Sequence, residues 1–259
     1  MRRITFRNIT VLSSVALALT LSACGDDDAL DPTAGTGGNG GEAGDKTDGG
    51  ETGAASCSLA RAELLGGVEL VSGGAVEDIS EQDASDITLR VDASAGGFMN
   101  AANNPYIYLS LVESARVNVT DLEAFESSDW DIALKRDNLR ANSGDSGPGQ
   151  VEVASLTSVA YDEVTLDAAD EAEFGTDDFL DQKCNSITDE TGKPVTRFDG
   201  WYEYDSATMS VSPAERVFLV RTPSATYKLQ ILDYYQQVQT SGGTPVTKSA
   251  VYTLKFRAL

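Results

Sequence analysis

Tyr227-Lys228-Leu229-Gln230-Ile231 alternates apolar and polar side chains over five positions. Successive side chains of a strand point to opposite faces, so Tyr227, Leu229 and Ile231 share one face and Lys228 and Gln230 the other. One buried face and one wet face is the antiparallel pattern. Outward from this stretch, short runs with the same alternation or with β-branched and aromatic enrichment recur. They lie at 87–91, 106–111, 115–119, 130–134, 151–153, 159–166, 201–204, 216–222, 227–235 and 250–256, and they read as strands. Stretches such as 142–149 and 241–245, rich in Gly, Asn, Asp, Ser and Pro, read as turns or loops. Helical signal is thin: 122–125 behind Thr120-Asp121 supports a turn or two, and 167–182 carries no apolar stripe. Nothing between the strands sustains a 3.6-residue period, which disfavours βαβ units. The expected fold is all-β, a single and mainly antiparallel domain over residues 57–259, long enough to bury a sizeable core.

The chain of 259 residues contains no His. Imidazole-based triads, His-x-x-x-His zinc sites and bis-histidine haem ligation are therefore closed to it. With 19 Lys plus Arg against 41 Asp plus Glu, the net charge is −22. Nucleic-acid affinity comes mainly from Lys and Arg neutralising phosphates, so no nucleic acid is expected as a partner.

The amino terminus reads as an address. Arg2, Arg3 and Arg7 precede a mostly apolar segment, 9–21, and Leu21-Ser22-Ala23-Cys24 follows at once. This is a secretory signal, residues 1–23, ending in a lipobox. The apolar segment is short of the roughly 20 residues that span a bilayer. Cleavage before Cys24 and acylation of its thiol would make a lipoprotein with the two or more anchoring signals that stable attachment requires. Losing residues 1–23 removes three Arg and no acid, which takes the net charge from −22 to −25. Residues 25–56 hold ten Gly, eight acids and one Lys. That composition buries no core and reads as a disordered tether, with a flexible-chain reach of about 30 Å.

With Cys24 lipidated, Cys57 and Cys184 remain. An exported chain is disulfide-permissive. Paired, the two close a loop of over 120 residues, which the chain-entropy account values at about 4–5 kcal/mol. Two buried, unpaired thiols are the alternative.

Three local patterns invite a chemical reading. Gly144-Asp145-Ser146-Gly147-Pro148 is similar to the nucleophile segment of trypsin-like proteases, but that chemistry needs an imidazole, so a glycine-rich loop is expected. No nucleophile and base pair is visible elsewhere, and no enzyme activity is expected. Asp167, Asp170, Glu171, Glu173, Asp177, Asp178 and Asp181 offer oxygen ligands of the kind calcium takes, yet their spacing fits no EF-hand. A solvated acidic loop is the simpler reading. Finally, Tyr202 and Tyr204 share one face of the strand 201–204, and with Tyr106, Tyr108, Tyr234 and Tyr235 they could line an aromatic pocket. A core built partly of tyrosine is the plainer alternative.

The block Trp130-Asp131-Ile132-Ala133-Leu134-Lys135-Arg136, continued by Asn138-Leu139-Arg140-Ala141-Asn142-Ser143-Gly144-Asp145-Ser146-Gly147, resembles the signature of the HmuY family of bacterial haem-binding surface lipoproteins. The resemblance resumes at Gly200-Trp201-Tyr202-Glu203-Tyr204, Arg216-Val217-Phe218-Leu219-Val220-Arg221, the stretch from Tyr227, Asp233-Tyr234-Tyr235, and a closing strand at 251–256. It runs in order over roughly residues 100–259. It implies a HmuY-like, largely antiparallel β domain, outer-membrane attachment at the cell surface, and haem capture for an outer-membrane receptor. Trp130, Asp131, Arg136, Asn142 and Gly144 mark its structural signature.

In that family the iron is held from two sides by paired His, or in relatives paired Met, from two loops after the signature. One loop corresponds to Asp205-Ser206-Ala207-Thr208-Met209-Ser210, where Ser206 falls at the His position. Met209 could supply a thioether to haem iron, with Tyr202 and Tyr204 lining the pocket. The other loop, 164–183, has neither His nor Met, which leaves Tyr161, Cys184 or no second ligand; Met99 precedes the signature block and is a poor partner. The resemblance thus implies haem, or a similar planar ligand, bound without histidine. The alternative is the same fold serving as a surface interaction module with no tetrapyrrole.

Overall fold

The computed structural model describes residues 57–240 and 242–259. The signal segment 1–23, Cys24 and the linker to residue 56 lie outside the described residues. Strands β1 (Val76–Asp78), β2 (Ile87–Asp92), β3 (Ile107–Ser110), β4 (Ala115–Val117), β5 (Ile132–Lys135) and β6 (Asn138–Ala141) come first. They are followed by β7 (Glu152–Thr157), β8 (Tyr202–Asp205), β9 (Ser210–Pro213), β10 (Arg216–Arg221), β11 (Thr226–Gln239) and β12 (Pro245–Ala258). Short helices α1 (Ser58–Leu65), α2 (Asp121–Ala124) and α3 (Leu166–Asp170), with 3-10 turns at Phe98–Asn103 and Tyr161–Glu163, complete the described elements. None of the helices is long and apolar enough to cross a membrane.

Every strand pairing is antiparallel. One sheet has the order β1-β2-β12-β11-β10-β7, a second the order β4-β3-β5-β6, and β8 and β9 form a separate ribbon. The expected all-β, mainly antiparallel class is the one found. Alternate residues of the two larger sheets meet in one core: Ile107, Leu109, Ile132 and Leu134 from the smaller sheet, and Leu89, Phe218, Leu229, Leu254 and Phe256 from the larger. Each such side chain, removed from water, contributes about 1.5–3 kcal/mol.

The opposite faces are covered as well. Behind the small sheet, Tyr108 and Ala133 pack with Leu65, Ala124, Phe125 and Trp130. Arg140, fully buried there, lies over the rings of Tyr106, Tyr108 and Trp130 and donates to Tyr108 Oη and the Ser146 carbonyl, 2.6 Å each. Behind the large sheet, Val217 and Leu219 pack with Tyr161, Val164 and Ala169.

That last layer corrects two expectations. The run 159–166 is not a strand but a 3-10 turn leading into α3, lying over the outer face of the large sheet. It also covers Lys228, expected to be wet and found 0% exposed. The ammonium remains buried because it donates to the carbonyls of Tyr161 (2.8 Å) and Val164 (3.2 Å), which lie at the start and end of that turn. A buried cation needs such partners. In the same region α3 occupies part of the stretch 167–182 expected to be loop.

Cys57 and Cys184 form a disulfide spanning 127 residues, with Cα atoms 5.3 Å apart. It joins the residue that precedes α1 to the loop between α3 and β8.

Candidate functional site

The long β11–β12 hairpin is interrupted. Its register shifts between Ile231 and Asp233 and again before Tyr235, with Ala250 in the left-handed region (φ 57°) on the partner strand. Such irregularities re-aim side chains. Here Tyr234 turns inward onto Trp201, Tyr235 and Tyr252, with ring centroids 5.5, 5.1 and 5.3 Å away. Trp201 also meets Tyr252 at 5.2 Å and Tyr202 at 4.8 Å. These five rings form an aromatic floor whose tilted and edge-on contacts are the favoured ones; Tyr202, Tyr234 and Tyr235 line the cleft above it, and Trp201 and Tyr252 are buried behind them.

A cleft of ≈ 690 Å³ opens over this floor, within the size range of small-molecule sites. Tyr202 and Tyr204 line it from β8, Val211 from β9, and Tyr234 and Tyr235 from β11. The ribbon is pinned by the Val211 amide, which donates to Tyr235 Oη at 2.9 Å. Met209, in the β8–β9 turn with φ 52°, lines the cleft and is 78% exposed. The structure therefore brings Met209, Tyr202 and Tyr204 together with Tyr234 and Tyr235. It does not bring Tyr106 or Tyr108, which belong to the cluster around Arg140. Their side of β3 faces away from the main core, so for these two the plainer alternative, a core built partly of tyrosine, is the one found.

Further lining comes from segments whose local sequence carries no ligand signal. Arg136 and Asp137 form the two-residue β5–β6 turn inside the signature block, Arg136 with φ 53°. Its carbonyl accepts from Tyr252 Oη at 2.6 Å and its amide donates to the Ala93 carbonyl at 2.8 Å. Asp137 joins the turn to the floor: its carbonyl accepts from Trp201 Nε1 (3.0 Å), and its carboxylate accepts from Tyr202 Oη (3.4 Å) and pairs with Lys193. Burial alone would lower the Lys193 ammonium, but its hydrogen bond and charge contact with Asp137 outweigh that and raise it. Tyr202 is raised by burial and then by the Asp137 charge. Phe98, 82% exposed, closes the rim from the 3-10 turn at Phe98–Asn103.

The rest of the signature block works as scaffold. Trp130 Nε1 donates to the Ala124 carbonyl at 3.0 Å. Asp131 accepts the Leu111 amide at 2.6 Å. Asn142 donates to the carbonyls of Ser127 and Trp130 and accepts the Gly149 amide. Ser146 is fully buried with its hydroxyl on Asp177 at 2.8 Å, an internal strut and not an exposed nucleophile. The glycines of this loop allow close approach to Asn142. A Cβ on Gly149 would stand 2.5 Å from the Asn142 carbonyl oxygen and 2.6 Å from its Cγ. Gly149→Ala is therefore expected to cost about 1–3 kcal/mol by overpacking, read as a lower denaturation midpoint at unchanged slope; an unchanged midpoint would refute the close fit.

The remaining ligand candidates lie elsewhere. Tyr161 belongs to another cleft with Arg216 and Lys255, its hydroxyl donating to Asp86 at 3.2 Å. Cys184 is held in the disulfide and offers no thiolate. Met99 is 86% exposed beside Phe98 but does not line the cleft. The acidic stretch is dispersed: Asp177 is buried on backbone amides, while Asp181 accepts from Lys183 and Asn185. Among the described residues no group of three or more His, Cys, Asp or Glu is placed to hold a metal ion.

The donor set suits a planar ligand with apolar faces and an anionic edge, meeting rings across the floor and cations at the rim. For a metal at the centre of such a ligand, the lining offers the Met209 thioether as its soft donor. No entire curated protein, nor part of one, matches the chain. Residues 102–247, more than half of the chain, match the family described as HmuY protein.

Proposed function

The chain belongs to the HmuY family, and from that premise we propose that it is an exported, lipid-anchored surface protein that captures haem or a similar planar ligand in the cleft over Trp201. The observation that carries this reading is the convergence of Met209, Tyr202, Tyr204 and Tyr235 with Arg136 and Lys193 on one cleft. The role is binding, without catalysis. Burial of apolar faces supplies attraction, and the two cations complement carboxylates. The lipobox at Cys24 and the acidic linker support attachment to the outer membrane, with the domain held away from its surface and available to a receptor.

When bound, haem would supply the coloured iron centre; this chain's part is to hold it. Tyr234, backed by the buried Trp201, sets the floor, Tyr202 and Tyr204 flank it, and Met209 is the residue from which a sulfur can reach a metal. Titration of the full chain with haem is expected to give a saturable Soret shift at one equivalent. Met209→Ala is expected to alter the spectrum of the ferrous form, where a soft thioether bonds best. A spectrum indifferent to Met209→Ala would remove Met209 from the iron. Absence of any saturable shift would remove the tetrapyrrole and leave the alternative, a surface interaction module, to which the exposed Phe98 and Met99 lend support.

A further inference from the structure

We infer that the cleft selects its ligand by the carboxylate rim and the flat faces, and not by the metal, with Arg136 and Lys193 as the specificity-determining residues. The inference rests on the reading of this cleft as the ligand site and says what that site reads.

The metal side of the recognition is thin. The chain has no imidazole, and the single thioether on the lining sits in a turn, 78% exposed. A thioether is a soft donor and makes a weak bond to a hard ferric ion. Two of the four phenols on the lining are engaged otherwise: Tyr202 donates to Asp137, and Tyr235 accepts the Val211 amide. Burial and the Asp137 charge hold Tyr202 in the protonated form, which ligates iron poorly.

The rim side is built. Arg136 is fixed at its backbone from both directions, by Tyr252 and by Ala93. Its guanidinium makes one side-chain hydrogen bond, to Ser249 Oγ at 3.2 Å, and pairs with no carboxylate among the described residues. A guanidinium carries five N–H donors, so the fork that binds a carboxylate in bidentate fashion remains. Lys193 stands at the same cleft, paired with the lining's one acid, Asp137, so the two cations leave an excess of one positive charge there. In a chain with 41 acids and 19 basic residues, a cleft with a surplus of cations over aromatic rings is complementary to an apolar anion.

The test is a parallel titration of the full chain with ferric protoporphyrin, metal-free protoporphyrin and the dimethyl ester of the latter. The metal-free acid is expected to bind within about threefold of the ferric form, and the ester at least about tenfold more weakly, the loss of one good charge-assisted contact. Arg136→Gln and Lys193→Gln, each with an unchanged thermal midpoint, are expected to lower affinity for the free acid by about tenfold and to leave the ester unaffected. Tight binding of the ferric form with metal-free acid about 100-fold weaker would overturn the inference while the tetrapyrrole reading stands. An ester that binds as well as the acid would also overturn it. Failure of all three porphyrins would overturn both.

Discussion

Asp177→Ala is expected to lower the free energy of unfolding by about 3–5 kcal/mol, the cost of stripping a partner from a buried charged network. The carboxylate is fully buried and accepts from three donors: the Ala141 amide at 2.7 Å, the Ser146 hydroxyl at 2.8 Å and the Arg197 amide at 2.7 Å. Alanine would leave all three buried and unsatisfied. The measurement is a denaturant titration at constant slope; a loss below about 1 kcal/mol would show that water or rearrangement replaces the carboxylate. The same group carries a pH signature. Burial pushes its pKa up to about 6 from an ordinary 3.8, against the pull of the amides, the hydroxyl and Arg140. Its folded value is above its unfolded value, so the native state binds the proton more tightly. Its contribution to stability is therefore greatest below about pH 4 and is lost as pH rises towards and through about 6. The stability gap between the wild type and Asp177→Asn, which cannot titrate, is expected to widen on acidification from pH 7 to pH 4, by about 2–3 kcal/mol. A gap that stays constant or narrows would contradict the raised value.

The second large effect belongs to the disulfide. Replacing Cys57 and Cys184 together by Ser is expected to cost about 4–5 kcal/mol, because the bridge restricts the unfolded chain over a long loop. Reductant should bring the wild type down to the double variant and leave the variant unmoved. Helix α1 should remain docked in the folded variant, since Leu65 is in the cluster behind the small sheet, Arg61 lies over Phe125 at 4.4 Å, and Lys135 donates to the Gly66 carbonyl at 3.1 Å. Equal stability with and without the bridge would remove the chain-entropy account.

The strands of the main core were legible because burial on one side leaves a period-two trace, as in Tyr227, Leu229 and Ile231. Legibility ended where something packs on the second face. Lys228 looks like a solvent residue, and only the turn folded over it makes it buried. Helix α1 leaves no trace in the sequence pattern because its buried side chains are Arg61 and Leu65, and an arginine pressed on a ring does not register as an apolar stripe. The ribbon strand β9, Ser-Val-Ser-Pro, has too few apolar residues to announce itself. At the site, Met209, Tyr202 and Tyr204 could be named because they lie close together along the chain. Arg136, Asp137, Lys193 and Phe98 arrive from distant turns, and only the tertiary fold makes them neighbours. The positive φ and the Tyr252 bond that present Arg136 leave no mark in composition or period.

The bridge also governs how the domain answers a mechanical pull. Force applied between the segment before Cys57 and the carboxyl terminus passes across the sulfur atoms to Cys184, so residues 58–183 cannot be extended while the bond is intact. The shielded part holds β1 to β7, including the turn with Arg136 and Asp137; the tensioned part holds β8 to β12, including Met209 and the aromatic ribbon. The cleft is thus assembled from both sides of this divide. A pull on the chain ends would load the seam between the two parts first, while the hairpin of the signature block stayed slack.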